Sequence, residues 1–204
     1  SVRDQFGPAR ATLPFIHTPR VAFRCHEVVG AKWALLPSAA GVIDPLLSTG
    51  FPLTLLGLSR LLDVLETTRP GAEREAALKT YAETTQRELD VTEQLVGALY
   101  ACMADRPLFK RLSLLYFAAA SYSETVRRLG RPQLAPGFLL NAHPRFGVEL
   151  RECAAAAALA PKGDHRSALV DRIDRAIEPF DTAGLLDRSR RDWYPVLAAD
   201  LIGS

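Results

Sequence analysis

From Phe51 to the end of the chain, apolar residues recur every three or four positions with almost no interruption by strand-like alternation. That period commits three quarters of the 204 residues to helices. Leu55, Leu58, Leu62 and Leu65, with further leucines beside them, predict a helix from Phe51 to Leu65 that is buried around much of its circumference and stopped at Arg69-Pro70-Gly71. A second helix is expected over about Ala72 to Ala104. Its inner face carries Leu78, Tyr81, Thr85, Leu89, Thr92, Leu95, Leu99 and Cys102, and its solvated face Glu73, Glu75, Lys79, Glu83, Arg87, Glu88 and Glu93. Asp105-Arg-Pro107 provides an N-cap and a first-turn proline for a third helix ending near Leu129. Gly130 to Gly137 reads as loop, and further helices are expected at Phe146 to Ala160, Ser167 to Ile177 and Trp193 to Ile202.

The first forty residues differ. Arg20 to Val29 alternates, with Val21, Phe23 and Cys25 on one face and Arg20, Arg24 and His26 on the other, which predicts a strand. Gly30-Ala-Lys32 reads as a turn. Trp33-Ala-Leu-Leu-Pro37 is a short apolar run of the kind that suits a strand buried on both faces of a parallel sheet. Such a strand needs neighbours this chain does not encode. The opening Ser1-Val-Arg-Asp4 lacks an initiator methionine and a leader, so the chain is expected to be part of a longer protein. The fold class is therefore mainly α: short N-terminal strands, the remnant of an α/β domain, followed by a bundle of about six helices. The expected division is a strand-rich segment at 1–50 and a helical domain at 51–204.

Composition removes several functions. A net charge of +2 gives no basic excess for nucleic acid or an anionic membrane. No apolar run approaches the roughly 20 residues that span a bilayer. Cys25, Cys102 and Cys153 lack metal-ligand spacing and read as reduced thiols of a cytoplasmic protein. His17, His26, His143 and His165 never stand four apart on a helix, so no metal site is expected. Ser48 and Ser121 lack the nucleophile elbow of a hydrolase. Tyr116, Phe117 and Tyr122 on the third helix read first as core, with a pocket wall as the alternative.

One stretch carries chemistry. After Pro37 come the small residues Ser38, Ala39, Ala40 and Gly41, then Asp44-Pro45, then Ser48-Thr49-Gly50 and the start of a long helix. Small side chains let a ligand approach the backbone, and free N–H groups at a helix start attract anions and cofactor oxygens. Pro52 costs nothing in that first turn. The same residues also serve as an ordinary helix start, so both readings stand at this point.

Leu35-Leu-Pro-Ser-Ala-Ala-Gly-Val-Ile-Asp-Pro-Leu-Leu-Ser-Thr-Gly50 resembles the second flavin motif of FAD-dependent monooxygenases and, more closely, of flavin-dependent halogenases. Their pattern is Gly-Asp-Ala-Ala-Gly-Phe-Ile-Asp-Pro-Leu-x-Ser-x-Gly, leading into a helix beneath the isoalloxazine. Arg20-Val-Ala-Phe-Arg24 and Val28-Val-Gly-x-x-Trp33-Ala-Leu-Leu36 also resemble the strand pair before that motif. The close likeness covers residues 18–66.

The resemblance implies that Gly41, Asp44 and Pro45 lie beside the flavin pyrophosphate and ribityl chain. It implies that Ser48, Thr49 and Gly50 lie near the flavin ring, where backbone amides hold chloride in the halogenases, a role that would fall on Thr49 and Gly50. Ser38 stands where the family carries an aspartate for a ribityl hydroxyl, and Pro37 replaces a glycine. A serine offers a neutral, weaker hydrogen bond. Leu47 replaces the glutamate of tryptophan halogenases, which favours a general oxidoreductase over a halogenase of that substrate class.

The Gly-x-Gly-x-x-Gly turn, the Trp-x-Trp-x-Ile-Pro box and the family's lysine are absent from the sequence and are expected upstream. The chain is thus expected to be the C-terminal part of an FAD-dependent oxidoreductase, a flavoprotein acting on an organic substrate with dioxygen, and inactive alone. The alternative is a non-catalytic helical module that binds a ligand or partner and keeps a degenerate flavin motif. A chain lacking most of its sheet is also expected to self-associate through apolar surface at Trp33 to Leu36.

Overall fold

In the computed structural model, residues 4, 7, 10, 12–14, 16–19, 21–187 and 189 are described. Arg20 of the expected first strand and the expected helix at Trp193 to Ile202 lie outside them. The architecture is mainly α, as expected, with two short antiparallel pairs near the N-terminus.

β1 (Phe23–Arg24) pairs with β4 (Gly41–Val42), and β2 (Val29–Gly30) pairs with β3 (Trp33–Ala34). The long alternating strand and the doubly buried parallel strand are therefore corrected. Val21 is 68% exposed and Trp33 46% exposed. The run after Trp33 satisfies its backbone in a two-stranded hairpin and against the Tyr81 side chain. Leu35 N–H donates to the Val28 carbonyl at 2.8 Å, and the Leu35 carbonyl accepts the Tyr81 hydroxyl at 2.8 Å. Pro37 then opens α1 (Pro37–Ala40), where its missing N–H costs nothing.

α2 (Gly50–Thr67) follows, then α3 (Ala72–Ala101), α4 (Arg106–Arg128), α5 (Phe146–Ala158) and α6 (Gly163–Ile177). The breaks fall at the punctuation the sequence carries. The Asp105 carboxylate caps α4 by accepting the Leu108 N–H at 3.3 Å, and Arg127 and Arg128 occupy its last turn, where the dipole favours cations. α3 is the central element, packed by α2, α4 and α5. The alanine-rich face of α5 fits closely against it: Ala154 and Ala157 are buried, and Cys102 Sγ donates to the Ala157 carbonyl at 3.1 Å. Leu108, Leu112 and Leu115 of α4 join Ile173 and Ile177 of α6 in the same core. The connector between α4 and α5 is pinned by Phe180, whose ring meets Tyr122, His143 and Phe146 edge-on at 4.9–5.1 Å.

Two expectations about helix faces are overturned. α2 is not buried around its circumference: Leu55, Leu58, Leu62 and Leu65 are 41–50% exposed, and only Leu53 and Gly57 are fully enclosed. The helix leans on α1 and α3 from one side, and Gly57 is where α1 sits. A Cβ there would lie 2.3 Å from the Pro37 ring, so the missing side chain is what lets the two backbones close up. Glu88, assigned by type to the solvated face of α3, is 1% exposed. It is turned inward because Arg60 of α2 and the Phe138 N–H both reach it.

Candidate functional site

The segment from Pro37 to Gly50 is fixed to α3 before it reaches α2. Ala40 is buried, and its carbonyl accepts the Cys25 N–H at 2.8 Å. Arg24, opposite Gly41 in the β1–β4 pair, donates to the Gln86 side chain at 2.7 Å, the Gln86 carbonyl at 2.6 Å and Asp90 at 2.7 Å. Ser38 is exposed on α1. Gly41 is buried, and a Cβ on it would meet Arg24 Cδ at 3.1 Å and Leu89 Cδ1 at 3.3 Å, so its open side is spent on packing.

The turn into α2 is tightly specified. Asp44 Oδ1 accepts the Leu46 N–H at 2.8 Å, an Asx turn, and Oδ2 accepts the Tyr100 hydroxyl at 3.0 Å. Donating to that carboxylate raises the Tyr100 hydroxyl above its ordinary value. Pro45 is exposed, and its carbonyl accepts the Ser48 N–H at 2.9 Å. Leu47 and Ser48 then take φ of 64° and 52°, two successive non-glycine residues in the left-handed region. Each conformation costs roughly 1–2 kcal/mol. The Tyr116 hydroxyl holds it by donating to the Leu47 carbonyl at 3.0 Å. Burial raises the Tyr116 hydroxyl as well.

Thr49 is 2% exposed at the N-cap of α2, yet no side chain caps that helix. Gly50 faces open space, with no atom within 4 Å of where a Cβ would stand. The candidates therefore divide. Ser38, Pro45, Ser48 and Gly50 face outward, Asp44 is half-buried with both carboxylate oxygens occupied, and Gly41 and Thr49 face inward. Pro37 seats on Gly57, two turns beyond Gly50, so α1 lies beside the middle of α2 and Ser48–Gly50 at its start.

Two cavities lie nearby, one against this segment and one beyond the start of α2. One of about 270 Å³ lies between the β1–β4 pair and α3, lined by Arg24, Asp44, Glu93 and Tyr100. The other, of about 400 Å³, lies between α2 and α4, lined by Pro52, Leu55, Ser59, Tyr116, Ser123 and Phe138. The second has the size and mixed lining of a small-molecule site. Tyr116 serves as both core and pocket wall, since the ring is buried and lines the cleft while the hydroxyl holds Leu47.

Sequence reasoning missed Glu88, Arg60 and Tyr100. Glu88 supports the cleft wall through the Phe138 N–H, at 2.6 Å, and Tyr100 holds Asp44. Their partners are 28 to 56 positions away in the chain, and no local pattern announces such a pair.

Among the described residues, no group of three or more His, Cys, Asp or Glu side chains is placed to hold a metal ion, and no helix is long and apolar enough to cross a membrane. Cys25, Cys102 and Cys153 are free thiols, the last two buried.

No protein-family model matches the chain. Over 124 residues, 59% of the chain, it is 30% identical to the tetracycline 7-halogenase of Kitasatospora aureofaciens. That similarity supports a halogenase-like relationship, and the match spans 22% of the halogenase's own length.

Proposed function

We propose that this chain is the C-terminal portion of an FAD-dependent oxidoreductase of halogenase-like or aromatic-hydroxylase-like type, in which the 38–50 segment lies against the flavin and the helices bound the substrate. The observation that carries the reading is the strained turn at Leu47–Ser48, held by Tyr116 and Asp44 and delivering the chain into an uncapped helix start. Backbone strain persists where surrounding structure over-determines it, and such places concentrate at ligand sites. Similarity to a halogenase and the motif likeness at Asp44-Pro45 and Ser48-Thr-Gly50 support the same assignment.

The residues fit a flavin through backbone more than side chain. The N–H groups of Gly50 and Phe51 would take an electronegative oxygen or a halide, helped by the positive end of the α2 dipole. The open side of Gly50 leaves room for a flat ring to approach. Ser38, exposed on α1, offers one neutral hydrogen bond to a ribityl hydroxyl. Asp44 acts by shaping the turn, since both of its oxygens are already engaged. When bound, the flavin supplies the oxidative chemistry with dioxygen; this chain supplies position, orientation and exclusion of water. The absence of a glutamate at Leu47 favours oxygenation or another oxidation over tryptophan-type halogenation.

A second reading, a non-catalytic helical module, draws on the inward placement of Gly41 and Thr49 and on the internal bonds of Asp44. Visible absorbance after incubation with FAD and desalting separates the two. The proposal expects a version extended upstream to retain flavin colour and the present chain to retain little. If neither holds flavin, the module reading replaces it.

A further inference from the structure

We infer that two copies of this chain pair through α2, antiparallel, along a seam formed by Leu55, Leu58, Leu62 and Leu65. With Phe51, these residues follow one another at intervals of four, three, four and three, the heptad spacing that keeps an apolar stripe aligned with a second helix. The stripe is open: Phe51 is 74% exposed, Leu55 50%, Leu58 41%, Leu62 47% and Leu65 47%. Leu53 and Gly57 on the opposite face are enclosed, so α2 has spent one side on its own fold and kept the other free. Five such side chains present on the order of 500 Å² of apolar surface, in the upper part of the range for a monomer's largest patch, and pairing two copies would bury about 1,000 Å², the lower limit for a specific interface.

Charge selects both the occupant and the direction. Between Gly50 and Ser59 the helix carries no charged residue, and Arg60 is drawn away to Glu88. Asp63 and Glu66 come only in the last turns. With Leu58 against the partner's Leu62 and Leu55 against the partner's Leu65, Glu66 of each copy lies opposite the other copy's Thr54, in the half of the helix that carries no charge. Each acidic end thus meets an uncharged stretch of the other copy. A parallel pair would instead set Asp63 and Glu66 against their own counterparts. The smaller apolar surface at Trp33 to Leu36 contributes less, because Leu35 and Leu36 are half-buried. Leu55 also lines the 400 Å³ cleft, so pairing would narrow its mouth.

The test is sedimentation equilibrium across the micromolar range, with helicity followed by circular dichroism. The wild-type chain is expected to shift from monomer to dimer with concentration, and Leu58→Glu to stay monomeric at unchanged helicity. Orientation is read by oxidative cross-linking in a Cys25→Ser background. Chains bearing Leu58→Cys and chains bearing Leu62→Cys are expected to cross-link when mixed and not when either is oxidised alone. A wild-type monomer throughout, a dimer that survives Leu58→Glu, or efficient cross-linking of either cysteine chain alone would overturn the inference. None of these outcomes depends on flavin, so they leave the functional proposal to its own test.

Discussion

Glu88 of α3 meets Arg60 of α2 in a two-point ion pair, Oε2 to Nη1 at 2.7 Å and Oε1 to Nη2 at 2.5 Å, and the same carboxylate accepts the Phe138 N–H at 2.6 Å. Glu88 is 1% exposed, whereas the Arg60 side chain is 26% exposed. The two halves are therefore unequal. Removing Arg60 strands a buried charge, while removing Glu88 leaves an arginine that reaches water. Arg60→Ala is expected to cost about 3 kcal/mol by urea denaturation, and Glu88→Gln less. The double variant should cost less than the sum of the two. Equal, additive losses would contradict the arrangement.

Gly57 and Gly97 offer a matched pair of helix-interior glycines with opposite surroundings. A Cβ at Gly57 would meet the Pro37 ring at 2.3 Å, and one at Gly97 would meet nothing within 4 Å. Gly57→Ala is expected to destabilise by about 1–3 kcal/mol through overpacking. Gly97→Ala is expected to stabilise by about 0.5–1 kcal/mol through helix propensity. Thermal denaturation of both variants reads the difference in sign.

The left-handed turn at Leu47–Ser48 makes a further prediction. Ser48 is exposed, so Ser48→Gly removes strain without removing packing and should raise stability by up to about 1 kcal/mol. Ser48→Val, a branched residue at φ of 52°, should lower it. Tyr116→Phe frees the Leu47 carbonyl and should cost about 1 kcal/mol, with faster amide exchange at Ser48 and Thr49.

Cys153 is buried, and burial pushes its thiol up to about 11 from 9.0. The folded state thus holds a proton that the unfolded state releases first. The stabilisation is complete below pH 9.0 and is lost as pH rises towards about 11. Urea midpoints measured across that window should fall less steeply for Cys153→Ala than for the wild type. At neutral pH, a thiol reagent should label half-buried Cys25 first, with Cys102 and Cys153 reacting only on unfolding.

Helix positions were legible because their stops are local chemistry. Arg69-Pro-Gly71 separates α2 from α3, and Asp105-Arg-Pro107 starts α4. What covers a helix face is not local. The leucine period of α2 correctly grouped Leu55, Leu58, Leu62 and Leu65 on one stripe, but a period records a shared face and not whether anything packs on it. Glu88 shows the converse: residue type put it in water, and a partner 28 positions away brought it inside. The apolar run at Trp33 to Leu36 has the pattern of a buried sheet strand, and periodicity does not distinguish that from a hairpin whose last carbonyl is taken by Tyr81. Within the candidate site, the Asp44-Pro45 and Ser48-Gly50 pattern marked the turn. Its left-handed pair and the tyrosines that hold it required the fold.

Whether the 44–51 turn lies against the flavin is read by amide hydrogen exchange across those residues, in the protein extended upstream, with and without FAD. FAD is expected to slow exchange at Gly50 and Phe51 well beyond any change in the distant α5–α6 pair. Tight FAD retention with no change across 44–51 would contradict that placement, and would assign this turn to the fold alone.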